Sequence, residues 1–336
     1  MTYSRTPKVS TFRHKECKLL ESRHGVISSA SAGLKAWWKM SENIGYKKGK
    51  DAKFWKQYTH ARPHVPDSFF EAIFKYHAEH NGGWDLLHEP GAGAGIHTSR
   101  LAWRFKRAVI SDFSQQNIDI ASEQNQLQQC EFRALNIEDP LPEDGVVDMV
   151  VCLNMLHFSD LPKALTAIRR QLKPGGTFVY GFFAWPAFPD NKEAQDLLEQ
   201  MCRRGLGWLK NVQGRDLSNV ALFVSNGDHV TSDGFVNVRR QRTNFPEGFS
   251  WRKQLVPEGL EFDPWPVANP KEVELLQDDD WSFKMGVEDL KEHLASHPWG
   301  EVPGLLDDLW PPMADAMGRR KISAVWPVTC VLASKQ

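Results

Sequence analysis

The sequence predicts an α/β fold in which helices cover both faces of a parallel sheet. Short apolar segments alternate with helical segments from residue 84 to residue 184, as in chains that form such sheets. A glycine-rich turn follows the first apolar segment, where a strand would pass into a helix. The segments 146–153 and 177–184 are strongly apolar, which is typical of strands buried on both faces.

The predicted elements follow one another in a regular order. A helix begins near Ser68, whose spacing from Glu71 matches a capping box, and it ends at Asn81-Gly82-Gly83. Strands are predicted over residues 84–88, 108–111, 131–135, 146–153 and 177–184, with helices between them over 98–107, 115–127 and, capped by Asp160, over 161–172. After these come a helix from Asp190 to near Gly205, strands over 235–244 and 321–333, and helical segments over 287–295 and 305–317.

One large domain is predicted for the 336 residues, since an α/β domain with insertions reaches this length. Residues 1–50 are predicted to form an N-terminal arm or lid with excess positive charge and one helix near 31–40. Residues 51–336 form the domain. Insertions at about 205–232 and 246–318 are too long for plain loops, and we expect them to form a substrate cap.

Charge and cysteine content disfavour several classes of protein. A formal net charge of -1 supplies no broad positive surface for a nucleic acid. The five cysteines lack a C-x-x-C pair, so we expect no disulfide framework, no metal site and a reducing, cytoplasmic location. No apolar run approaches the roughly 18 residues of a membrane helix. The basic, hydroxyl-rich N-terminus leaves a mitochondrial transit peptide open as an alternative.

The glycine-rich turn runs Glu89-Pro90-Gly91-Ala92-Gly93-Ala94-Gly95 and indicates a ligand site. Glycines let the backbone approach a ligand closely, and the next helix offers free N–H groups. The dinucleotide pattern G-x-G-x-x-G needs a glycine where this chain has Ile96. Because the Glu89 carboxylate would repel a pyrophosphate, a ligand with positive charge fits better, such as S-adenosylmethionine with its ammonium and sulfonium.

A second acid, Asp112, ends the next predicted strand. A carboxylate at that strand end can accept both hydroxyls of a ribose. The alternative is that Asp112 only caps the following helix. The glycine turn one strand earlier favours the ribose role.

Four motifs occur in order, E-P-G-A-G-A-G, I-S-D-F-S, V-D-M-V-V-C-L-N-M-L-H-F and L-K-P-G-G. The series resembles that of class I S-adenosylmethionine-dependent methyltransferases over roughly residues 54–190. More narrowly, residues 58–66, 156–158, 186–190 and 321–326 resemble the fungal trans-aconitate methyltransferase-like group. The resemblance implies a Rossmann-like, seven-stranded sheet with an antiparallel last strand, helices on both faces and a substrate cap. It also implies S-adenosyl-L-methionine as the methyl donor and S-adenosyl-L-homocysteine as the product.

The resemblance further implies a set of cofactor contacts. They are Glu89, Gly91, Ala92, Gly93 and Asn154 for the methionine part, Asp112 with Phe113 for the ribose, Asn136 and Ile137 for adenine, and Tyr58 and Arg62 for a lid over the cofactor carboxylate. Two positions depart from the family pattern. Many relatives carry Asp in place of Asn136, although Asn still offers a donor and an acceptor, and Pro90 stands where a more flexible or apolar residue is common. Tyr58 and Arg62 can alternatively belong to a surface turn stiffened by Pro63.

His157 is the candidate catalytic residue, because it follows the fourth strand, where chemistry in this fold is often placed. It would act as a general base toward a hydroxyl or orient a carboxylate, and the alternative is a structural hydrogen bond. A carboxylate acceptor would need no base. The candidates for a substrate wall are Trp185, Trp281, His297 and Trp299. The alternative for the tryptophans is packing within the cap.

The sequence therefore predicts an enzyme that transfers a methyl group to an oxygen of a small organic acid or secondary metabolite, in one in-line displacement. Three alternatives remain. In the first, the enzyme uses the same cofactor pocket for a non-methylating reaction such as a cyclisation. In the second, it is a tRNA or protein methyltransferase that binds its macromolecular substrate through the basic arm. In the third, it is a non-catalytic binding protein that retains the fold.

Overall fold

The structure is a computed structural model that describes residues 50–80, 82–139, 141, 144–183, 185–212, 234–247, 273–300 and 302–336. The predicted arm up to residue 49, with its helix near 31–40, lies outside the described residues. So do residues 213–232 of the first predicted insertion and residues 248–272 of the second.

Helices and strands alternate through the first half of the described chain. The helices are α1 (Ala52–Ala61), α2 (Asp67–His80), α3 (Thr98–Ala102), α4 (Gln115–Gln124), α5 (Leu161–Gln171), α6 (Lys192–Asn211), α7 (Val287–Ala295) and α8 (Trp310–Met317). The strands are β1 (Leu86–Pro90), β2 (Arg107–Asp112), β3 (Cys130–Ala134), β4 (Val147–Leu153), β5 (Leu172–Phe183), β6 (Phe235–Thr243), β7 (Val273–Leu276), β8 (Ser282–Met285), β9 (Ile322–Val325) and β10 (Val328–Lys335). Single 3-10 turns occupy Leu156–Phe158 and Asp279–Trp281.

Eight of these strands form one sheet in the order β3-β2-β1-β4-β5-β10-β6-β7. β3, β2, β1, β4 and β5 are parallel neighbours, whereas β10 runs antiparallel to both β5 and β6. The predicted α/β sheet with an antiparallel last strand is confirmed. The sheet exceeds the predicted seven strands because β7 adds an eighth, parallel to β6, at the edge. Its four residues are too few to show a periodicity in the sequence.

The segment 321–333, predicted as one strand, is two strands in two sheets. β9 pairs with β8 in a separate antiparallel sheet, and β10 begins after Pro327. Proline has no N–H to donate to a ladder, so a strand breaks readily there. The preceding Trp326 donates its backbone N–H to the carbonyl of Trp281 instead, at 3.2 Å. The prediction of one continuous strand is wrong for this reason.

Helix α6 continues to Asn211, so the prediction that it ends near Gly205 is wrong. Gly205 lies inside the helix and faces Trp299, since a β-carbon on this glycine would lie 2.1 Å from Cδ2 of that tryptophan. The glycine serves the packing of a bulky side chain and does not terminate the helix.

Both faces of the sheet are covered, as predicted. Alternate residues of a strand point to opposite faces of a sheet. In β4, alternate residues accordingly pack against different helices. Val150 and Cys152 pack in the cluster that contains α5 and α6, whereas Met149 and Val151 pack in the cluster that contains α2 and α3. All four are fully buried. Burial of apolar area at about 25 cal/mol per Å² makes these two layers the main source of stability.

The parallel strands end at one edge of the sheet, and this edge positions the candidate site. β1 ends at Pro90, which pairs with Ser111 of β2 just before Asp112. On the other side of β1, Leu153 of β4 pairs with Gly181 of β5. Side chains that follow β1, β2, β4 and β5 therefore meet at the same edge.

Candidate active site

The glycine turn after β1 approaches two side chains from other parts of the chain. Gly91 and Gly93 have φ angles of 63° and 58°, in the left-handed region that favours glycine. A β-carbon on Gly93 would lie 2.3 Å from Cη2 of Trp55, and one on Gly91 would lie 2.6 Å from Cε of Met155. Close approach therefore requires glycine at both positions, in addition to the backbone conformation.

The carboxylate of Asp112 joins this turn to the start of α4. Its Oδ2 accepts the backbone N–H of Gly93 at 3.0 Å. Its Oδ1 accepts the N–H of Ser114 and the side-chain amide of Asn117, each at 3.0 Å. Asp112 is 5% exposed, and burial raises the pKa of its carboxyl group above the ordinary value while these three donors oppose the rise. The side chain that caps α4 is Ser114, so Asp112 is not the N-cap that the alternative prediction made it.

Glu89, at the end of β1, lies beneath the glycine turn. It is 4% exposed, and its Oε2 accepts the hydroxyl proton of Thr98 at 2.7 Å. Burial raises the pKa of Glu89 to about 7, and the Thr98 hydrogen bond lowers it only in part. A cation that binds near this carboxylate would favour its ionised form.

Helix α1 covers the glycine turn. Asp51 caps the helix by accepting the N–H of Phe54 at 2.8 Å. Trp55 is buried against Gly93, and its indole N–H donates to Oδ1 of Asn117 at 3.1 Å. Tyr58 packs edge-on against Trp55, with ring centroids 5.3 Å apart. We call this helix the α1 lid, because its inner face closes the turn.

Ala92 and Phe113, two further candidates, lie beside the turn. The N–H of Ala92 donates to the carbonyl of Ser111 at 3.0 Å, which ties the turn to β2. Phe113 is 45% exposed, unlike most large apolar side chains of the chain. An exposed ring next to Asp112 leaves an aromatic face available to a ligand.

The two residues predicted near adenine differ in exposure. Asn136 is exposed, and its amide donates to the carboxylate of Asp139 at 3.2 Å. Ile137 is 7% exposed and packs in the core cluster that contains α5. Its side chain is therefore used in packing, and a ligand would meet chiefly its backbone.

Asn154 connects β4 to β5 at the edge of the sheet. Its amide donates to the carbonyl of Phe183 and accepts the N–H of the same residue, both at 2.9 Å. The residue has a positive φ of 51°, which asparagine tolerates better than most residues. These two hydrogen bonds hold the ends of β4 and β5 together. They use the side-chain amide of Asn154, which is the group predicted to contact the methionine part of the cofactor.

Three of the four residues predicted for a substrate wall lie together. The ring of Trp185 is 5.6 Å from that of His297, which stacks on Trp299 at 5.4 Å. Trp281 does not join them. It is 2% exposed and packs against Phe183 at 5.7 Å, in the core cluster on the other face of the sheet.

His157 lies in the 3-10 turn after β4, as expected from its place in the sequence. Its ring lies 3.9 Å from that of Phe158 and 6.0 Å from that of Phe182. The residue is partly exposed, and Phe158 beside it is half-exposed. His157 therefore lies near the surface of the candidate site. Its catalytic role stays a prediction.

Arg62 lies at the far end of the α1 lid, next to the substrate wall. Its guanidinium lies 4.5 Å above the ring of Tyr58. The preceding residue, Ala61, offers its carbonyl to Nδ1 of His293 at 2.8 Å, which connects α1 to α7. Burial, followed by the charge of Arg62, lowers the pKa of His297 well below its ordinary value. His297 is therefore neutral at pH 7.

Sequence reasoning missed Trp55, Met155, Asn117 and His293, which hold the site together. A signal existed for Trp55, since it lies three residues before Tyr58 and seven before Arg62 and thus shares their helix face. For Asn117 and His293 no local signal existed, because their partners are 62 and 232 residues away.

In the part of the chain that the structure describes, no group of three or more His, Cys, Asp or Glu side chains is arranged to hold a metal ion. Within the same residues, no helix is long and apolar enough to span a bilayer.

Comparison with known proteins identifies the family. Residues 88–180, which contain the glycine turn, Asp112 and Asn154, match a family profile described as a methyltransferase domain. The chain is 31% identical over 291 residues to the methyltransferase AacuQ of Aspergillus aculeatus, with 84% of this chain and 93% of that protein covered. It is 32% identical over 304 residues to a methyltransferase of Claviceps purpurea, with 85% and 93% covered. It is 29% identical over 298 residues to the methyltransferase gedG of Aspergillus terreus, with 85% and 92% covered.

These relatives match over almost their whole length, and the matched profile coincides with the strand ends that carry the glycine turn and its acids. The chain belongs to this family of fungal methyltransferases.

Proposed function

We propose that the enzyme transfers a methyl group from S-adenosyl-L-methionine to an oxygen of a small organic acid or secondary metabolite. The observation that carries the proposal is the pairing of Asp112 with Gly93. It sets a carboxylate at the end of β2 beside a left-handed turn after β1. That arrangement suits a ligand with a ribose and a flexible charged chain.

The residues present fit this cofactor in charge and in shape. Glu89 supplies a buried carboxylate that a nearby ammonium or sulfonium would stabilise in its ionised form. Gly91 and Gly93 add no side chains of their own to the turn, against which Trp55 and Met155 lie. Phe113 offers an exposed ring beside Asp112. Asn136 and the backbone of Ile137 remain the proposed contacts of adenine.

The cofactor would supply an electrophilic methyl carbon on a sulfonium. The acceptor oxygen would attack that carbon as the S–C bond breaks and its electron pair moves to sulfur, which leaves S-adenosyl-L-homocysteine. A carboxylate oxygen attacks without losing a proton, whereas a hydroxyl must give one up, and His157 is the proposed base for that case. The protein's main contribution is to align the oxygen with the S–C axis and to exclude water.

The α1 lid has a part in excluding water. Trp55 of the lid lies against Gly93, and Met155, which follows β4, lies against Gly91, so both glycines are covered in part by side chains from other elements. We infer that α1 moves aside when the cofactor enters and returns when it is bound. The neutral His297, with Trp185 and Trp299, would form the wall against which the acceptor packs.

Isothermal titration of the purified protein with S-adenosyl-L-methionine, and separately with S-adenosyl-L-homocysteine, tests the proposal. We expect micromolar binding of both ligands. A screen of carboxylic acids and hydroxylated metabolites for release of S-adenosyl-L-homocysteine would then identify the acceptor oxygen. If neither ligand bound, the proposed function would be wrong. If a product formed without release of S-adenosyl-L-homocysteine, the reaction would not be methyl transfer.

A further inference from the structure

Arg62 carries a donor that no group of the described residues satisfies. Its Nε atom is buried and has no hydrogen-bond partner, and no ion pair connects the guanidinium to an acidic side chain of the described residues. The ring of Tyr58 supports the cation from one side. Arg62 is partly exposed, yet its Nε is a buried donor without an acceptor and its charge has no counter-charge among the described residues, so the site suits an anionic ligand.

Trp185 carries a second such donor. The side chain is 4% exposed, and in the part of the chain that the structure describes no group accepts its buried indole N–H. Buried indole N–H groups usually find an acceptor. Trp185 follows β5 at the edge of the sheet where the parallel strands end, so its environment belongs to the candidate site.

His297 connects the two donors. Its ring is 5.6 Å from that of Trp185 and 5.0 Å from that of His293, whose Nδ1 lies 2.8 Å from the carbonyl of Ala61, the residue before Arg62. Nδ1 of His297 lies 3.1 Å from the carbonyl of His293, so this nitrogen carries the proton of the neutral ring. The cluster thus combines one permanent positive charge, two unused donors and aromatic surfaces from Tyr58 and Trp185.

The cluster lies on the side of the site away from the ribose acid. Trp55 and Arg62 are seven residues apart along α1 and its end, about 10 Å at 1.5 Å per residue. Trp55 contacts Gly93 after β1 and Asn117 beside Asp112, whereas Ala61, next to Arg62, contacts His293. The ring of His293 lies 5.0 Å from that of His297, which lies beside Trp185 after β5. β4 lies between β1 and β5, so the two ends of the lid face different parts of the edge.

We propose that Arg62 and Trp185 form a binding subsite for a carboxylate of the methyl acceptor, and that the acceptor is a planar organic acid. The proposal rests on the proposed function, which supplies the cofactor on the opposite side of the site. The planar guanidinium suits a carboxylate, and the indole N–H adds one donor of fixed direction. The aromatic rings around them pack best against a flat body.

Titration calorimetry with two small ligands tests the proposal. The affinities of 2-naphthoate and of its neutral counterpart 2-naphthamide are measured on protein saturated with S-adenosyl-L-homocysteine. The wild-type protein should bind the acid about tenfold or more tightly than the amide, the effect expected of hydrogen bonds to a charged group. Arg62→Met and Trp185→Phe should each weaken naphthoate binding, Arg62→Met by about tenfold, and should weaken naphthamide binding less, because the amide oxygen accepts hydrogen bonds without carrying a charge. Arg62→Lys keeps the charge and should retain part of the preference for the acid.

Two controls match the substitutions. Lys56→Met removes a cation from the exposed face of α1, and Trp84→Phe changes a tryptophan that packs on Phe74 and Phe105, away from the strand ends. Both should bind naphthoate as the wild-type protein does. Because the proposal assigns Arg62 to the acceptor in place of the cofactor carboxylate, affinity for S-adenosyl-L-homocysteine should be the same in all variants, which also shows that they are folded.

Equal affinity of the wild-type protein for the acid and the amide, or no binding of the acid, would overturn the proposal. Weaker binding of S-adenosyl-L-homocysteine by Arg62→Met with unchanged naphthoate binding would also overturn it, because the arginine would then serve the cofactor. Failure of the proposed function gives a different result, since the wild-type protein would then bind neither form of the cofactor.

Discussion

The indole ring of Trp55 lies against the α-carbon of Gly93, so closely that a β-carbon on the glycine would lie 2.3 Å from the ring. The same indole donates to Asn117, whose amide donates to Asp112, which in turn accepts the N–H of Gly93. The lid, the start of α4 and the glycine turn therefore form one closed loop of contacts. We expect a cofactor bound at the turn as proposed to be covered by Trp55.

Trp55→Ala should speed the release of the cofactor. The substitution removes the ring that covers Gly93 and one hydrogen bond to Asn117, so the closed lid loses about 1 kcal/mol from the hydrogen bond and more from packing. We expect the dissociation rate of S-adenosyl-L-homocysteine to rise about tenfold in stopped-flow measurements. Lys56→Ala, on the exposed face of the same helix, is the control. An unchanged dissociation rate in Trp55→Ala would show that α1 does not limit cofactor release.

Asp112→Ala should weaken cofactor binding by at least about tenfold, because it removes hydrogen bonds to a charged group. It also leaves the N–H groups of Gly93 and Ser114 without their acceptor, so the free energy of unfolding should fall by about 1–3 kcal/mol. Calorimetric titration measures the first effect, and thermal melting measures the second.

Asp119→Ala is the control for Asp112→Ala, since Asp119 is exposed on α4 and only pairs with Gln115. It should leave both cofactor affinity and stability unchanged. Equal affinity in Asp112→Ala and the wild-type protein would contradict the proposed ribose contact.

Local sequence signals predicted much of the fold. Asp160 accepts the N–H of Lys163 at the start of α5, as its type and position indicated, and α7 has the predicted bounds Val287–Ala295. Helix α2 begins at Asp67, one residue before the predicted start. Ser68 does not act as the expected cap, because its hydroxyl donates to Asp278, 210 residues away, at 2.6 Å. Because Asp278 is so far from Ser68 along the chain, the residues around Ser68 could not predict this contact.

The site was predictable where strand order alone places the residues. Asp112 meets Gly93 because β1 and β2 are neighbours and end together, and this follows from the motif order. The cap was less predictable. Trp281 and Trp299 were both predicted for the substrate wall, yet both are buried in the core, Trp281 against Phe183 on one face of the sheet and Trp299 beside His297 in the cluster on the other. Packing between distant segments decides between these outcomes.

Gly205→Ala should destabilise the protein, although alanine normally favours a helix. The added carbon would lie 2.1 Å from Trp299, so the ring must shift, and overpacking of this kind costs about 1–3 kcal/mol. Gly207→Ala, two residues further along α6, is a matched control. No atom of the described residues lies within 4 Å of the carbon added there, so this variant should gain about 0.5–1 kcal/mol from helix propensity. Thermal melting should therefore move in opposite directions for the two variants. A stabilised Gly205→Ala would show that Trp299 is not held against α6.

Cofactor affinity should depend on pH through Glu89. Burial raises the pKa of this carboxyl group to about 7 in the free protein, so part of it is protonated at neutral pH.

The raised pKa of Glu89 also makes the stability of the fold depend on pH. Because the pKa is higher in the folded state than in the unfolded state, the group stabilises the fold below the ordinary pKa, and this contribution is lost as the pH rises through about 7.

A cationic ligand near Glu89 reverses that preference. Binding of S-adenosyl-L-methionine should strengthen as the pH rises from about 6 to about 7 and then level off, with a slope of at most about tenfold per pH unit. Glu89→Gln cannot ionise and should bind more weakly, with an affinity that does not change over this interval. Titration calorimetry at several pH values measures both curves. If the variant retained the wild-type slope, another group would be responsible, and the contact between Glu89 and the cationic part of the cofactor would be wrong.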